Sequence, residues 1–486
     1  MNWGINMRKF WGLAIILALF ASLLTACSGG GGEGELKKLG KDEKATIKVM
    51  FWDENYFFQQ YGSLFISKFP NIDVEVVNLQ TLYSQGMTDE SFAKFVKDNK
   101  PDVLMLTTDQ YEKFAADGKL YDLGPVIEQD KYKTDTIHPA VLSLLRGKAN
   151  GKLLGLAPSF NSQALFYNVD LFDKYKIAHP TDSMSWSEVL NLAKQFPTDG
   201  DKDNRIYGFS TNNSSYFTPF DMLYAISGTE NLRILSPDGS QATLASDSWK
   251  RVYETVVDAV KSKAVFIPDG QGNQGGQTME DYLMQDLFVA GKSAMEVNYP
   301  YIVDNIKQAQ SYIHKDKPLN WGIVTVPVDP NNRGQSSSFS LNNIFSVSAD
   351  SPNPRAAWEF VQYVSGEDFA RVKARSNGSG ELLTRTSFIK EQDGRSLEPF
   401  YKLEPRTDTS NGLEKAPAAF YGSLTQIVNE ELGAVIDDKK SIDEAAGQIQ
   451  ERAQDALTTA KEQEKAAKAT APASTEEASA SPAAAN

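Results

Sequence analysis

Apolar positions along the chain alternate between the period of a strand and that of a helix. Thr46-Ile47-Lys48-Val49-Met50-Phe51 reads as a strand, and Trp52-Asp53-Glu54-Asn55 as the polar loop leaving it. Phe57, Tyr61, Leu64, Phe65 and Phe69 then recur at the spacing of one buried helix face. Pro70-Asn71 stops that helix, and Ile72-Asp73-Val74-Glu75-Val76-Val77 alternates as a second strand. Strand, helix, strand predicts a βαβ unit in a parallel sheet covered by helices, which is an α/β fold. Asp102-Val103-Leu104-Met105-Leu106 repeats the theme as a short apolar strand ending in Thr107-Thr108-Asp109. Two capping boxes, Ser185-Trp186-Ser187-Glu188 and Ser441-Ile442-Asp443-Glu444, open later helices. A third helix is marked by Trp249, Val252, Val256, Ala259 and Val260. Trp186, Trp249 and Trp358 sit at core spacing and are expected to pack inside.

The two ends differ from this body. Arg8 and Lys9 precede an apolar run from Phe10 to Leu24, followed by Leu24-Thr25-Ala26-Cys27. The tetrapeptide resembles the lipobox of bacterial lipoproteins, which implies cleavage after residue 26, a lipid on Cys27 and a place on the outer face of the cell membrane, as in a Gram-positive cell. Residues 27–44, glycine-rich at first, are then a flexible tether. Beyond about Glu464 the chain turns Ala/Ser/Glu/Pro-rich, and residues 464–486 are expected to be a disordered tail.

Composition narrows the function. The formal net charge is −14, which disfavours nucleic acid as a partner. Cys27 is the only cysteine, so packing alone must hold the fold. The three histidines, His138, His179 and His314, fall in no metal-ligand spacing, and no nucleophile elbow appears, so catalysis is not expected. Gly270-Gln271-Gly272-Asn273-Gln274-Gly275 fits a dinucleotide pattern, but its Pro268 flank and Gln/Asn content read as a plain loop. No cofactor is expected.

Six stretches, in order, resemble family 1 extracellular solute-binding proteins, the maltose-binding-protein-like receptors of ABC transporters. They are Tyr111–Leu123, Asn150–Pro158 with its Gly-Lys-Leu-Leu-Gly core, Ala164–Phe172, Ser185–Val189, Phe288–Met295 and Asn353–Val361. The resemblance implies a two-lobed, type II periplasmic-binding-protein-like fold with a solute cleft, and docking of the loaded receptor on a membrane permease. It places lobe 1 at 45–158, lobe 2 at 159–338, a return to lobe 1 at 339–388 and closing helices of lobe 2 at 389–463. It also implies a monomer that binds a carbohydrate, with oligosaccharides foremost. A polyamine or other solute, and a sensor that signals to a membrane receptor, remain alternatives.

Sugars need aromatic faces and planar polar groups, which α/β lobes supply from loops at the carboxyl ends of strands. The candidate ligand residues are Trp52, Asp53, Glu54, Asn55 and Tyr56 after the first strand, and Asp109 after the third. Further along are Phe160 and Asn161, Asn213 and Tyr216, Asn298, Tyr299 and Tyr301, and Phe339 and Asn342. Asp53 and Glu54 are also the carboxylates a dicationic solute would want. Separately, Asp199, Asp201, Asp203 and Arg205 have the spacing of a calcium loop, although position 12 is Ser210 in place of the usual glutamate. Structural calcium there is an expectation.

Overall fold

The computed structural model describes residues 36–470, apart from positions 41, 85, 202–204, 212–216, 269–277, 377–379 and 409. The signal segment, Cys27, Asn213, Tyr216, Asp203, the 270–275 loop and the tail beyond 470 lie outside the described residues. Two compact units divide the chain. The first takes the described residues up to Ile137, Leu145–Pro158 and Asn343–Phe369; the second takes His138–Leu144, Ser159–Asn342 and the chain from Ala370.

The first lobe is built on the predicted βαβ unit. Strand β1 (Ala45–Phe51) pairs in parallel with β2 (Ile72–Asn78) and β3 (Val103–Leu106), and Ile344–Val347 closes the far side antiparallel to β3. Between β1 and β2 the helical segment carries a π-turn over Phe58–Gly62 and buries Phe57, Tyr61 and Phe65. Those rings meet Phe345 and Phe360, so the returning segment completes the core of this lobe. The glycines of the 150–158 motif have physical causes. Gly151 turns at φ 86 beside Asn150 at φ 50, and a Cβ on Gly155 would lie 2.4 Å from Ser346 Oγ.

The second lobe has its own mixed sheet. Strand β4 (Ala164–Asn168) is central and antiparallel to both β6 (Met295–Asn298) and β7 (Trp321–Thr325), while β5 (Ser210–Thr211) runs parallel to β6. Both capping boxes form: Glu188 N–H donates to Ser185 Oγ at 3.3 Å, and Glu444 N–H to Ser441 Oγ at 3.2 Å. Trp186, Trp249 and Trp358 are buried, each in the core of its own lobe. The lobe's helical layer includes Asp247–Lys261, Ala418–Ile436 and Ile442–Thr470.

Three boundaries differ from the sequence reading. The return segment is 343–369 in place of 339–388, and the second lobe keeps the remainder through local pairing. Ser340 exchanges backbone hydrogen bonds with Asn161 at 2.9 Å, and Leu382–Leu383 pairs with Ser159–Phe160. Where the tether was expected to be free, its described part is docked at Leu36 and Lys38. Leu36 N–H donates to Gln129 Oε1 at 3.0 Å, Gln129 Nε2 donates back to the Leu36 carbonyl at 2.9 Å, and Lys38 pairs with Asp130 at 3.4 Å. The last helix continues through 464–470, because Ala, Glu, Gln and Lys favour a helix even without a core to pack on.

Candidate functional site

In the first lobe, parallel pairing brings the carboxyl ends of β1, β2 and β3 to one edge, where α/β proteins place their ligands. Trp52 leaves β1 half-buried, with its ring against Tyr83 at 4.3 Å between centroids and a 47° tilt. Tyr83 belongs to the Gln80–Ser84 helix that follows β2, and burial raises its phenol pKa above the ordinary value. After β3, helix α1 (Thr108–Ala116) starts with Thr107 and Gln110 capping each other, and Asp109 stands exposed in its first turn. Asp53 caps the Glu54–Phe57 helix by accepting the Tyr56 N–H at 2.8 Å. Glu54, Asn55 and Tyr56 are exposed. One aromatic platform thus sits beside carboxylates and an amide, the mixture that pairs with hydroxyls and covers C–H faces.

In the second lobe, β6 and β7 run together and β4 runs against them, so the ends of β6 and β7 share an edge with the start of β4. That edge carries Asn161, Tyr299 and Tyr301. Asn161 is exposed; the two tyrosines stack at 6.3 Å, Tyr301 exposed and Tyr299 half-buried, its pKa raised by burial. Asn342 is exposed at this lobe's last residue before the return.

Three expected ligand residues face inward. Phe160 and Phe339 stack on each other at 4.7 Å and are both buried, so each covers the face it would have shown a sugar. Phe160 also meets Tyr401 edge-on, a contact available because the chain here forms a two-residue strand with Leu382–Leu383. Asn298 is fully buried: its Nδ2 donates to Glu296 Oε1 at 2.5 Å, and its Oδ1 accepts the Tyr299 N–H at 2.8 Å. It serves an interior acid, Glu296, whose pKa burial and the neighbouring Asp286 push well up.

Sequence reasoning also missed an aromatic pair. Tyr224 on helix α2 (Pro219–Thr229) and Tyr421 on Ala418–Ile436 stand edge to face at 6.4 Å, both exposed and both against Phe220. Asn411 Nδ2 donates to the Tyr224 hydroxyl at 3.1 Å, giving this platform its own amide. The available signal was that both rings fall one position off the buried stripes of their helices, where packing gives no reason for an aromatic.

At the proposed calcium loop, Asp199 and Asp201 are exposed. Arg205 donates its guanidinium to the carbonyls of Thr198 and Lys263 and stacks 4.4 Å over the Tyr207 ring. Among the described residues no three His, Cys, Asp or Glu side chains are placed to share a metal ion, and no helix is long and apolar enough to cross a membrane.

Comparison with known proteins agrees with this geometry. The family described as bacterial extracellular solute-binding protein matches residues 65–393. A Brucella abortus chain named as a binding protein is 25% identical over 232 residues, 47% of this chain and 50% of its own length, so the match spans half of that relative. A maltooligosaccharide ABC transporter solute-binding lipoprotein of Streptococcus pneumoniae is 24% identical over 368 residues, 75% of this chain and 79% of its own. The solved structure of the sugar-binding protein MalE from Xanthomonas citri aligns with a TM-score of 0.59 at 17% identity, covering 86% of this chain and 99% of that one. The fold is therefore the α/β, type II periplasmic-binding-protein fold expected from the sequence. Members of this family bind solutes and are not enzymes. On the match across most of its length and on its two α/β lobes, the chain belongs to the bacterial extracellular solute-binding proteins.

Proposed function

We propose that the chain is the solute receptor of an ABC importer, held to the outer face of the membrane by a lipid on Cys27, and that it takes an oligosaccharide for delivery to a permease. The observation that carries the carbohydrate reading is the set of exposed or half-exposed aromatic platforms, each with planar polar partners. Trp52, whose ring meets Tyr83, is followed closely in the chain by Asp53 and Asn55; Tyr299 and Tyr301 share a sheet edge with Asn161; Tyr224 accepts a hydrogen bond from Asn411 and meets Tyr421. Repeated platforms suit a chain of sugar rings better than one small solute. The relatives named for maltooligosaccharide and maltodextrin point the same way.

A thermal-shift screen of residues 28–486 against oligosaccharides, monosaccharides, polyamines and Ca²⁺ tests this. A ligand bound only by the folded state, at 100 times its dissociation constant, adds about 2.7 kcal/mol and moves the melting midpoint clearly. An oligosaccharide is expected to give the largest shift. A shift from a polyamine alone sinks the carbohydrate assignment, and a Ca²⁺ shift lost in Asp201→Asn would place calcium at the 199–205 loop.

A further inference from the structure

The second lobe contains a cavity of about 260 Å³ lined by none of the aromatic or polar groups placed above at the solute platforms. Every residue that lines it has a polar side chain, and Arg406 is the one cation among them. Arg406 Nη1 donates to the Thr229 carbonyl at 2.8 Å and Nη2 to the Gly228 carbonyl at 2.5 Å, at the end of α2, where unpaired carbonyls favour a cation. The guanidinium is therefore fixed in place. Asp329 lines the same cavity and holds its turn by accepting the Asn331 N–H at 2.8 Å, while Asp408 makes no hydrogen bond among the described residues. Asn332 Nδ2 donates to Gln335 Oε1 at 2.8 Å, which leaves the Asn332 oxygen as an acceptor and the Gln335 amino group as a donor.

Three physical limits choose the guest. Size comes first: the volume is below the roughly 300–1,000 Å³ of pockets for larger ligands, so one small molecule fits and an oligosaccharide does not. Charge comes second. Two carboxylates oppose an anion, and the fixed Arg406 opposes a cation. Hydrogen-bond pattern comes third: the lining presents donors and acceptors together, which hydroxyl groups satisfy because each both donates and accepts. No aromatic ring lines the cavity, so it differs in kind from the stacking platforms. We propose that this cavity is a second binding site, contained in one lobe, for a single small polyhydroxylated molecule of the monosaccharide or alditol class. The proposal does not depend on which solute the platforms take.

Saturation-transfer NMR on the full mature chain tests it, with D-sorbitol and D-glucose as probes, putrescine as a cationic control, and the variants Asp408→Asn and Gln335→Ala. Wild type is expected to bind at least one of the two polyhydroxylated probes. Each variant should weaken that binding by about tenfold, the scale of a lost hydrogen bond to a charged or polar group, while melting temperature and oligosaccharide affinity stay as in wild type. Absence of transfer to both probes in wild type overturns the proposal. So do equal signals in wild type and both variants, or binding of putrescine in preference to the two probes.

Discussion

The Trp52 and Tyr83 rings lie 4.3 Å apart between centroids, and they come from the segments that follow two neighbouring parallel strands. Tyr83 supports one side of the indole while the indole stays half-exposed, so the ring is held without being buried. Truncating it removes exposed ring area and leaves the core of the lobe intact. Trp52→Ala is expected to weaken oligosaccharide binding by about 1–3 kcal/mol, with only a small change in melting temperature. Isothermal titration decides it; unchanged affinity would reduce Trp52 to a packing partner of Tyr83.

Tyr421 is the corresponding bet in the second lobe. It is 47% exposed, and its neighbours Phe220 and Tyr224 hold it edge-on. Tyr421→Ala should cost about 0.5–1.5 kcal/mol of oligosaccharide affinity, the worth of one aromatic contact. Tyr421→Phe should keep most of it, since stacking needs the ring and not the hydroxyl. A loss as large in the phenylalanine variant would instead assign the contact to the hydroxyl group.

How far the sequence foretold this molecule depended on the range of the signal. The strands of the first lobe and both capping boxes rest on periodicity and on pairs three residues apart, and they appear where the pattern put them. The outcome for Phe160 and Phe339 depends on partners far along the chain, and that for Asn298 on the burial of the strand it ends. Phe160 and Phe339 read as loop aromatics until Leu382–Leu383 pairs beside them, and Asn298 reads as a loop amide until Glu296 is seen to be buried beneath it. Glu296 itself breaks the apolar pattern of its strand, a local sign of an interior acid that pointed away from the ligand. The docked tether was illegible for the same reason, because Gln129 meets Leu36 across 93 positions.

That contact yields its own prediction. Gln129 holds the Leu36 peptide from both sides, and Lys38 adds an ion pair to Asp130. Gln129→Ala removes both hydrogen bonds. The Leu36 amide should then exchange as in an unfolded peptide, and trypsin should cleave after Lys37 or Lys38 well before it does in wild type. The amides of β1, which begins at Ala45, should keep their protection. Equal exchange at Leu36 in both proteins would mean that the clasp is too weak to order the tether.

The buried acid pair sets a pH dependence of definite sign. Glu296 is fully buried on β6, and burial together with the nearby Asp286 raises its pKa well above the ordinary 4.5. Asp286, also raised by burial, accepts the N–H groups of Phe288 and Val289 at 2.9 and 3.0 Å. In the unfolded chain Glu296 ionises near its ordinary value, so folding above that pH must take up a proton or bear the charge in the interior. Its contribution is therefore most favourable below about pH 4.5 and is lost progressively as pH rises toward the folded pKa. Glu296→Gln keeps a neutral group of the same shape and still pairs with Asn298. The variant should lose less melting temperature than wild type between about pH 5 and pH 8, so its relative stability improves with pH. Parallel melting curves across that range would show that Glu296 is ionised in the fold without penalty, which its complete burial makes physically unfavourable.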